Sequence, residues 1–365
     1  MKRLLILPAI LMAFASCRPT VTSDWEPILF VQQIADDTSG VFSLVTSYRN
    51  AGTKGSIALI GEPESCLQLA QRFLEADERD NVDGRLSHDR LPDFAGERFS
   101  VILDEHNAPY SRYVQSSSDS LREIAVRNAV AAVDSVCFSD AMIPSSRLVK
   151  NRAKVFVLAS PYLSEFGLSD IDTLFKIGGH EPLIISQAEA LMEEANERKL
   201  NHFAVWAPAN TAKIYERVSR QVCGKSVVVL SPDENRDDRM QFREAMRQYR
   251  SLHPNQPLDA ILLDPYDLDT AELEAELEHI RREITEEDAS LSRLLPPSFR
   301  FIPSADCVTA ACYRLFRRYN LFTHDIAYPS ARYFQTEETM DGDYVFVEIS
   351  PAYVAQKYAY VPDIH

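Results

Sequence analysis

The sequence has no glycine-rich phosphate loop and no Walker pattern, so no motif in it points to nucleotide binding. Its cysteines show no CxxC spacing and have no histidine cluster beside them, which argues against a zinc site. There is no G-x-S-x-G elbow, so no serine is marked as a hydrolase nucleophile. Positive charge is short: 38 Lys and Arg stand against 54 Asp and Glu, a formal net charge of −16. That balance excludes a nucleic-acid surface and attachment to anionic lipid by charge alone. Beyond the first segment, no run is long and apolar enough to cross a bilayer. Neither a metal nor a cofactor is expected.

What is present begins with an address. Lys2 and Arg3 precede an apolar segment from Leu4 to Ala15. It has signal-peptide length and is too short to span hydrocarbon as a helix. Small Ala15 and Ser16 then lead to Cys17. The run resembles the lipobox of bacterial lipoproteins, with Phe14 standing where Leu is commonest. The resemblance implies that residues 1–17 are a signal peptide ending in an acylated Cys17, which holds the chain to the lipid bilayer. The expected location is the bacterial cell envelope. Cys17-Arg-Pro-Thr-Val has no acidic residue directly after the cysteine, which favours the periplasmic face of the outer membrane.

Removal of that segment leaves enough chain for a large core, and 45% hydrophobic and 25% charged residues are ordinary globular values. Cys66, Cys137, Cys223, Cys307 and Cys312 remain. An oxidising compartment could pair four of them; the alternative is that several are small buried hydrophobes. Cys307 and Cys312, five apart on an expected helix, are poorly placed for a direct bond.

Residues 18–54 read as a polar lead, with Val41–Val45 as a possible strand. From Gly55 a regular alternation begins. Apolar runs at 57–60, 99–103, 155–158, 183–185, 203–206, 227–230 and 260–263 read as buried parallel strands. Between them, Ser120-Leu-Arg-Glu123, Ser186-Gln-Ala-Glu189 and Asp269-Thr-Ala-Glu272 read as helix-starting capping boxes. Leu273, Leu277, Ile280 and Ile284 recur at helical spacing and predict one buried face. The class is α/β, a mainly parallel sheet with helices on both faces. After Pro296-Pro297 the chain turns aromatic, with Asp341-Gly342 as a turn and Tyr344–Val347 as a strand. Residues 286–365 are read as an extension packed on the 55–285 body.

In open α/β sheets ligands bind beyond the carboxyl ends of the strands. Those positions hold Gly61-Glu-Pro-Glu64, Asp104 to Arg112, Ala159 to Leu163, Ala207 to Thr211, Ser231 to Glu234 and Asp264 to Asp267. In order and spacing, residues 55–285 resemble the aspartate/glutamate racemase superfamily, a fold of two similar α/β lobes. Asn107, Pro109 and Arg112 are similar to its substrate-carboxylate segment. Ser160 and Asp264-Pro265 fall where the family carries its two catalytic cysteines. A serine hydroxyl without an activating partner is far too weak a base for α-proton abstraction, and proline has no acid–base group.

The resemblance therefore implies a non-catalytic body. It would bind a small carboxylate-bearing ligand, or an envelope protein, between the lobes. The ligand-contact candidates are Asn107 and Arg112, with Ser160, Tyr162, Asn210, Thr211, Asp264 and Tyr266 at the mouth of the cleft. One alternative is the substrate-binding lipoprotein of a transporter, whose two lobes are crossed three times by the chain. Another is an enzyme of different chemistry using Asp264 or His106.

Overall fold

A computed structural model describes residues 26–36, 40–81, 84–233, 235–266, 268–325, 327–340 and 344–360. Cys17, its lipobox and the Asp341-Gly342 turn lie outside the described residues. Two sheets organise the rest. The larger has eight strands in the order β4-β3-β12-β11-β2-β1-β5-β6, the smaller four in the order β10-β9-β7-β8. The strands are β1 (Ser56–Gly61), β2 (Arg98–Leu103), β3 (Val136–Phe138), β4 (Arg147–Val149), β5 (Ala153–Leu158), β6 (Ile184–Ser186), β7 (Phe203–Trp206), β8 (Val228–Leu230), β9 (Ala260–Leu263), β10 (Arg300–Pro303), β11 (Ser330–Glu338) and β12 (Tyr344–Ile349). The small sheet is wholly parallel. The large one is parallel except for the pairings of β11 with β12 and β3 with β4.

The continuous apolar runs are explained by coverage on both faces. Every residue of β1, β5, β7 and β9 is buried, the environment in which a parallel strand needs no polar alternation. Alternation reappears in what each face touches. Phe203, Val205, Ala260 and Leu262 join the core that fills the first lobe. Ala204, Trp206, Ile261 and Leu263 face a second core closed by the helices Asp238–Leu252 and Thr270–Arg281. The two lobes therefore share one apolar core along one face of the small sheet.

The chain passes from the large sheet to the small one after β6 and returns after β10 through the helix Ser304–Tyr319. Two crossings, not three, separate this topology from the transporter alternative. Residues 286–365 are also not an added layer. β10 completes the second sheet, while β11 and β12 insert into the first between β2 and β3. Their aromatic content packs inside: Tyr333, Phe334 and Phe346 are buried in the main core. Tyr319 and Tyr328 remain exposed.

Several local expectations change. Val41–Thr46 is a helix, not a strand; Val45 alone of it is buried, and no neighbouring strand is there to pair with it. Ser120 caps nothing, because its helix already starts at Ser118. Ile284 lies beyond the helix end at Arg281 and is exposed. Ser186 and Asp269 do cap their helices, accepting from Glu189 N and from Ala271 N and Glu272 N. All five cysteines of the described residues are free.

Candidate ligand cleft

The loops that follow the strands of both sheets meet around a cavity of about 280 Å³. Glu62 and Glu64 enter it from beyond β1, Ser160 and Tyr162 from beyond β5, and Gln187 from beyond β6. The second lobe contributes Trp206 and Thr211, then Asp264 and Tyr266 beyond β9. Ser160 and Asp264-Pro265 thus face one cavity.

Ser160 is the N-cap of the short helix Pro161–Phe166, and its Oγ accepts from Tyr162 N at 3.3 Å. Pro161 at the first helical position has no amide to satisfy. The hydroxyl is engaged in capping, and among the described residues no histidine or lysine lines the cavity to activate it.

Asp264 is 5% exposed. Its Oδ1 accepts from Gln187 Nε2 at 2.6 Å and from the Tyr215 hydroxyl, and its Oδ2 has no partner among the described residues. The backbone is pinned as well, since Asp264 O accepts from Ser304 Oγ at 2.9 Å. Burial pushes this carboxyl from the ordinary 3.8 to about 7, the Tyr215 bond pulls against that, and nearby Glu62 adds to it. Glu62 is itself raised, first by burial, although its Oε1 accepts from Tyr110 N at 2.9 Å. A further polar atom, Gln187 Oε1, is buried and without a partner among the described residues. An unmet buried donor or acceptor costs roughly 1–3 kcal/mol, so such atoms mark places where a ligand or water completes the structure.

Of the expected contact residues, Ser160, Tyr162, Thr211, Asp264 and Tyr266 come together here. Asn107, Arg112 and Asn210 do not. Asn107 is consumed inside the first lobe, where its Nδ2 donates to Asp104 Oδ1 at 2.7 Å and to the Tyr344 hydroxyl. Arg112 is folded back onto its own loop, donating to His106 O at 3.2 Å and to the Tyr113 hydroxyl at 2.7 Å. Its guanidinium lies 4.8 Å from the Tyr113 ring centroid. Asn210 is exposed on a single 3-10 turn outside the lining. His106 also lies elsewhere, 3.7 Å from Glu338 and edge-on to Tyr344. Thr211 lines the cavity but spends its hydroxyl on Pro208 O at 2.8 Å.

Gln187 and Trp206 were not among the expected contacts, and Glu62 was placed at a strand end without being named as one. Glu62 and Gln187 each follow a strand end directly, and that position was the available signal. No cysteine lines the cavity. Cys66 lies behind it, its Sγ 3.5 Å from Ile102 O, with burial pushing the thiol well above its ordinary range. Among the described residues, no group of three or more His, Cys, Asp or Glu could hold a metal ion.

No family model matches this sequence, and no curated protein matches it. Solved structures do. The chain is similar to a glutamate racemase from Thermus thermophilus in complex with β-chloro-D-alanine, at 12% identity and a TM-score of 0.52, covering 86% of this chain and 96% of that one. It is similar also to the glutamate racemase isoform RacE1 of Bacillus anthracis, at 12% identity and a TM-score of 0.51, covering 84% and 94%. The fold is therefore the α/β fold of glutamate racemases, extended over most of the chain.

Proposed function

We propose that this chain is an envelope lipoprotein, anchored through an acylated Cys17 and facing the periplasm, whose racemase-like body holds a small ligand in its cleft without racemising it. One observation carries the non-racemising part. The two cavity positions that need a thiol base and a thiol acid hold Ser160, a helix cap, and Asp264-Pro265. Racemisation through two thiols needs a proton acceptor on one face of the α-carbon and a donor on the other. Here neither position holds a thiol. The cavity and its unmet polar atoms support a small ligand over a filled scaffold.

The test is direct. The purified chain is incubated with each enantiomer of glutamate and aspartate, and the circular dichroism of the amino acid is followed for hours. No interconversion is expected; interconversion at a rate proportional to protein would overturn the non-racemising assignment. For the anchor, Cys17→Ala is expected to move the chain from the membrane fraction to the soluble one.

Asp264 supports one second reading, an enzyme with carboxyl acid–base chemistry. A carboxyl that titrates at about 7 in a cleft is suited to that work. Recovery of a bound ligand unchanged after prolonged incubation would exclude it.

A further inference from the structure

The chemistry of the cavity lining is one-sided. Glu62, Glu64, Asp238 and Asp264 all line it, and among the described residues no Lys, Arg or His does. Carboxylates that crowd without a cation repel one another and lose solvation on burial. The acidic lining is not the whole case. Gln187 is 2% exposed, and while its Nε2 is committed to Asp264, its Oε1 faces no donor. An unpartnered carbonyl oxygen asks for a donor, as do the free Oδ2 of Asp264 and the second oxygen of Glu62. Three aromatic side chains, Tyr162, Trp206 and Tyr266, complete the walls, and the faces of such rings attract cations.

We infer that the cleft binds a small organic ammonium ion, of the size of a diamine or a basic amino acid, with its charged head between Asp264, Glu62 and the Gln187 carbonyl. Each N–H of the ammonium then meets an acceptor that the protein leaves unmet. The carboxylates are not gathered tightly enough to hold a metal ion, whereas an alkylammonium bonds to acceptors spread over a wider volume. The cavity of about 280 Å³ suits a ligand of that size. The inference rests on the small-ligand reading given above and replaces the carboxylate group expected there, since Arg112 does not reach the cleft.

Binding should depend on pH, because the acceptors titrate. The groups facing Asp264 are Glu62 from the β1 loop, the Tyr215 phenol from the helix Ala212–Cys223, and Tyr266 from its own loop. Both phenols are raised by burial and stay neutral. As pH falls through 7, Asp264 takes up a proton and its attraction for the ammonium weakens.

The experiment is isothermal titration of the full chain in detergent with 1,4-diaminobutane, L-lysine and D-lysine, and with L- and D-glutamate, at pH 8 and pH 5. The expected result is one-to-one binding of at least one amine at pH 8 and no binding of glutamate. The amine's dissociation constant should rise at least tenfold at pH 5 and in Asp264→Asn. Glu62→Gln, checked for an unchanged thermal melt, should weaken the amine too and covers the case in which Asp264→Asn does not fold. Glutamate binding with every amine silent would overturn the ammonium assignment and leave the small-ligand reading standing. Silence from all five probes would remove both. Amine binding that is indifferent to pH and to both variants would place the amine outside this cleft and overturn the inference.

Discussion

Two aspartates stand at equivalent points of the two lobes, and they are treated in opposite ways. Asp104 directly follows β2 of the large sheet, and Asp264 directly follows β9 of the small one; both are buried. Asp104 accepts five side-chain hydrogen bonds: Asn107 Nδ2, Thr336 Oγ1 and the Tyr344 hydroxyl on Oδ1, Tyr110 and Asn128 on Oδ2. Asp264 accepts two, both on Oδ1. A saturated carboxylate is a structural device: three separate parts of the chain are tied to it and nothing remains to offer a ligand. An under-supplied one at the edge of a cavity keeps an oxygen and a proton equilibrium free. The C-terminal hairpin makes the difference, because Thr336 and Tyr344 reach the first lobe's strand ends and have no counterpart in the second.

The contrast can be broken first at its saturated end. Asp104→Leu leaves five donors facing an apolar side chain, and a loss of about 3–5 kcal/mol is expected in urea unfolding. The same replacement at Asp264 strands only two donors from side chains and should cost much less.

A second test concerns pH. The Asp264 carboxyl is raised from 3.8 to about 7, so the native state keeps a proton that the unfolded chain has already released. The contribution of this carboxyl to stability is therefore full below about pH 4 and is lost progressively as pH rises to 7, by up to about 4 kcal/mol. Glu62, raised in the same direction, contributes with the same sign. Asp264→Asn should flatten this slope. The variant is expected to match the parent near pH 4 and to exceed it in thermal midpoint at pH 8. A parallel slope in both proteins would show that Asp264 titrates normally and would erase the contrast.

Two smaller effects sharpen it. Ser304→Ala removes the bond that fixes Asp264 O to the helix returning to the first lobe and should cost about 1 kcal/mol. Arg112→Ala, at an exposed residue bonded only within its own loop, should change stability by less than about 0.5 kcal/mol and leave any cleft ligand's affinity unchanged.

The strands were legible because burial on both faces writes itself as unbroken β-branched runs, and β1, β2, β5, β7 and β9 fell where those runs lie. Ser160 and Asp264 were legible for the same reason: a strand end fixes the next residue at the sheet's carboxyl edge. Asn107 and Arg112 were not, since their side chains are taken up by partners that no local pattern announces. The partner that consumes Asn107 is Tyr344, 237 positions away. Such a contact leaves no local pattern. The capping box at Thr285 and Asp288 was equally readable in principle, but its acceptor is Asp where the usual pattern has Glu or Gln.

The insertion of β11 beside β2 also constrains how the molecule is made. A chain delivered N-terminus first, by a ribosome or through a translocation pore, presents β2 at residues 98–103 long before residues 330–335 emerge to pair with it. Until then one rim of the first sheet, with Phe99 and Val101 on it, is an open template for pairing with another molecule. The first sheet is completed only when the C-terminal strands arrive, so a nascent chain is expected to gain from shielding until its end is free. Chains cut before residue 330 are accordingly expected in aggregates and not as soluble half-molecules.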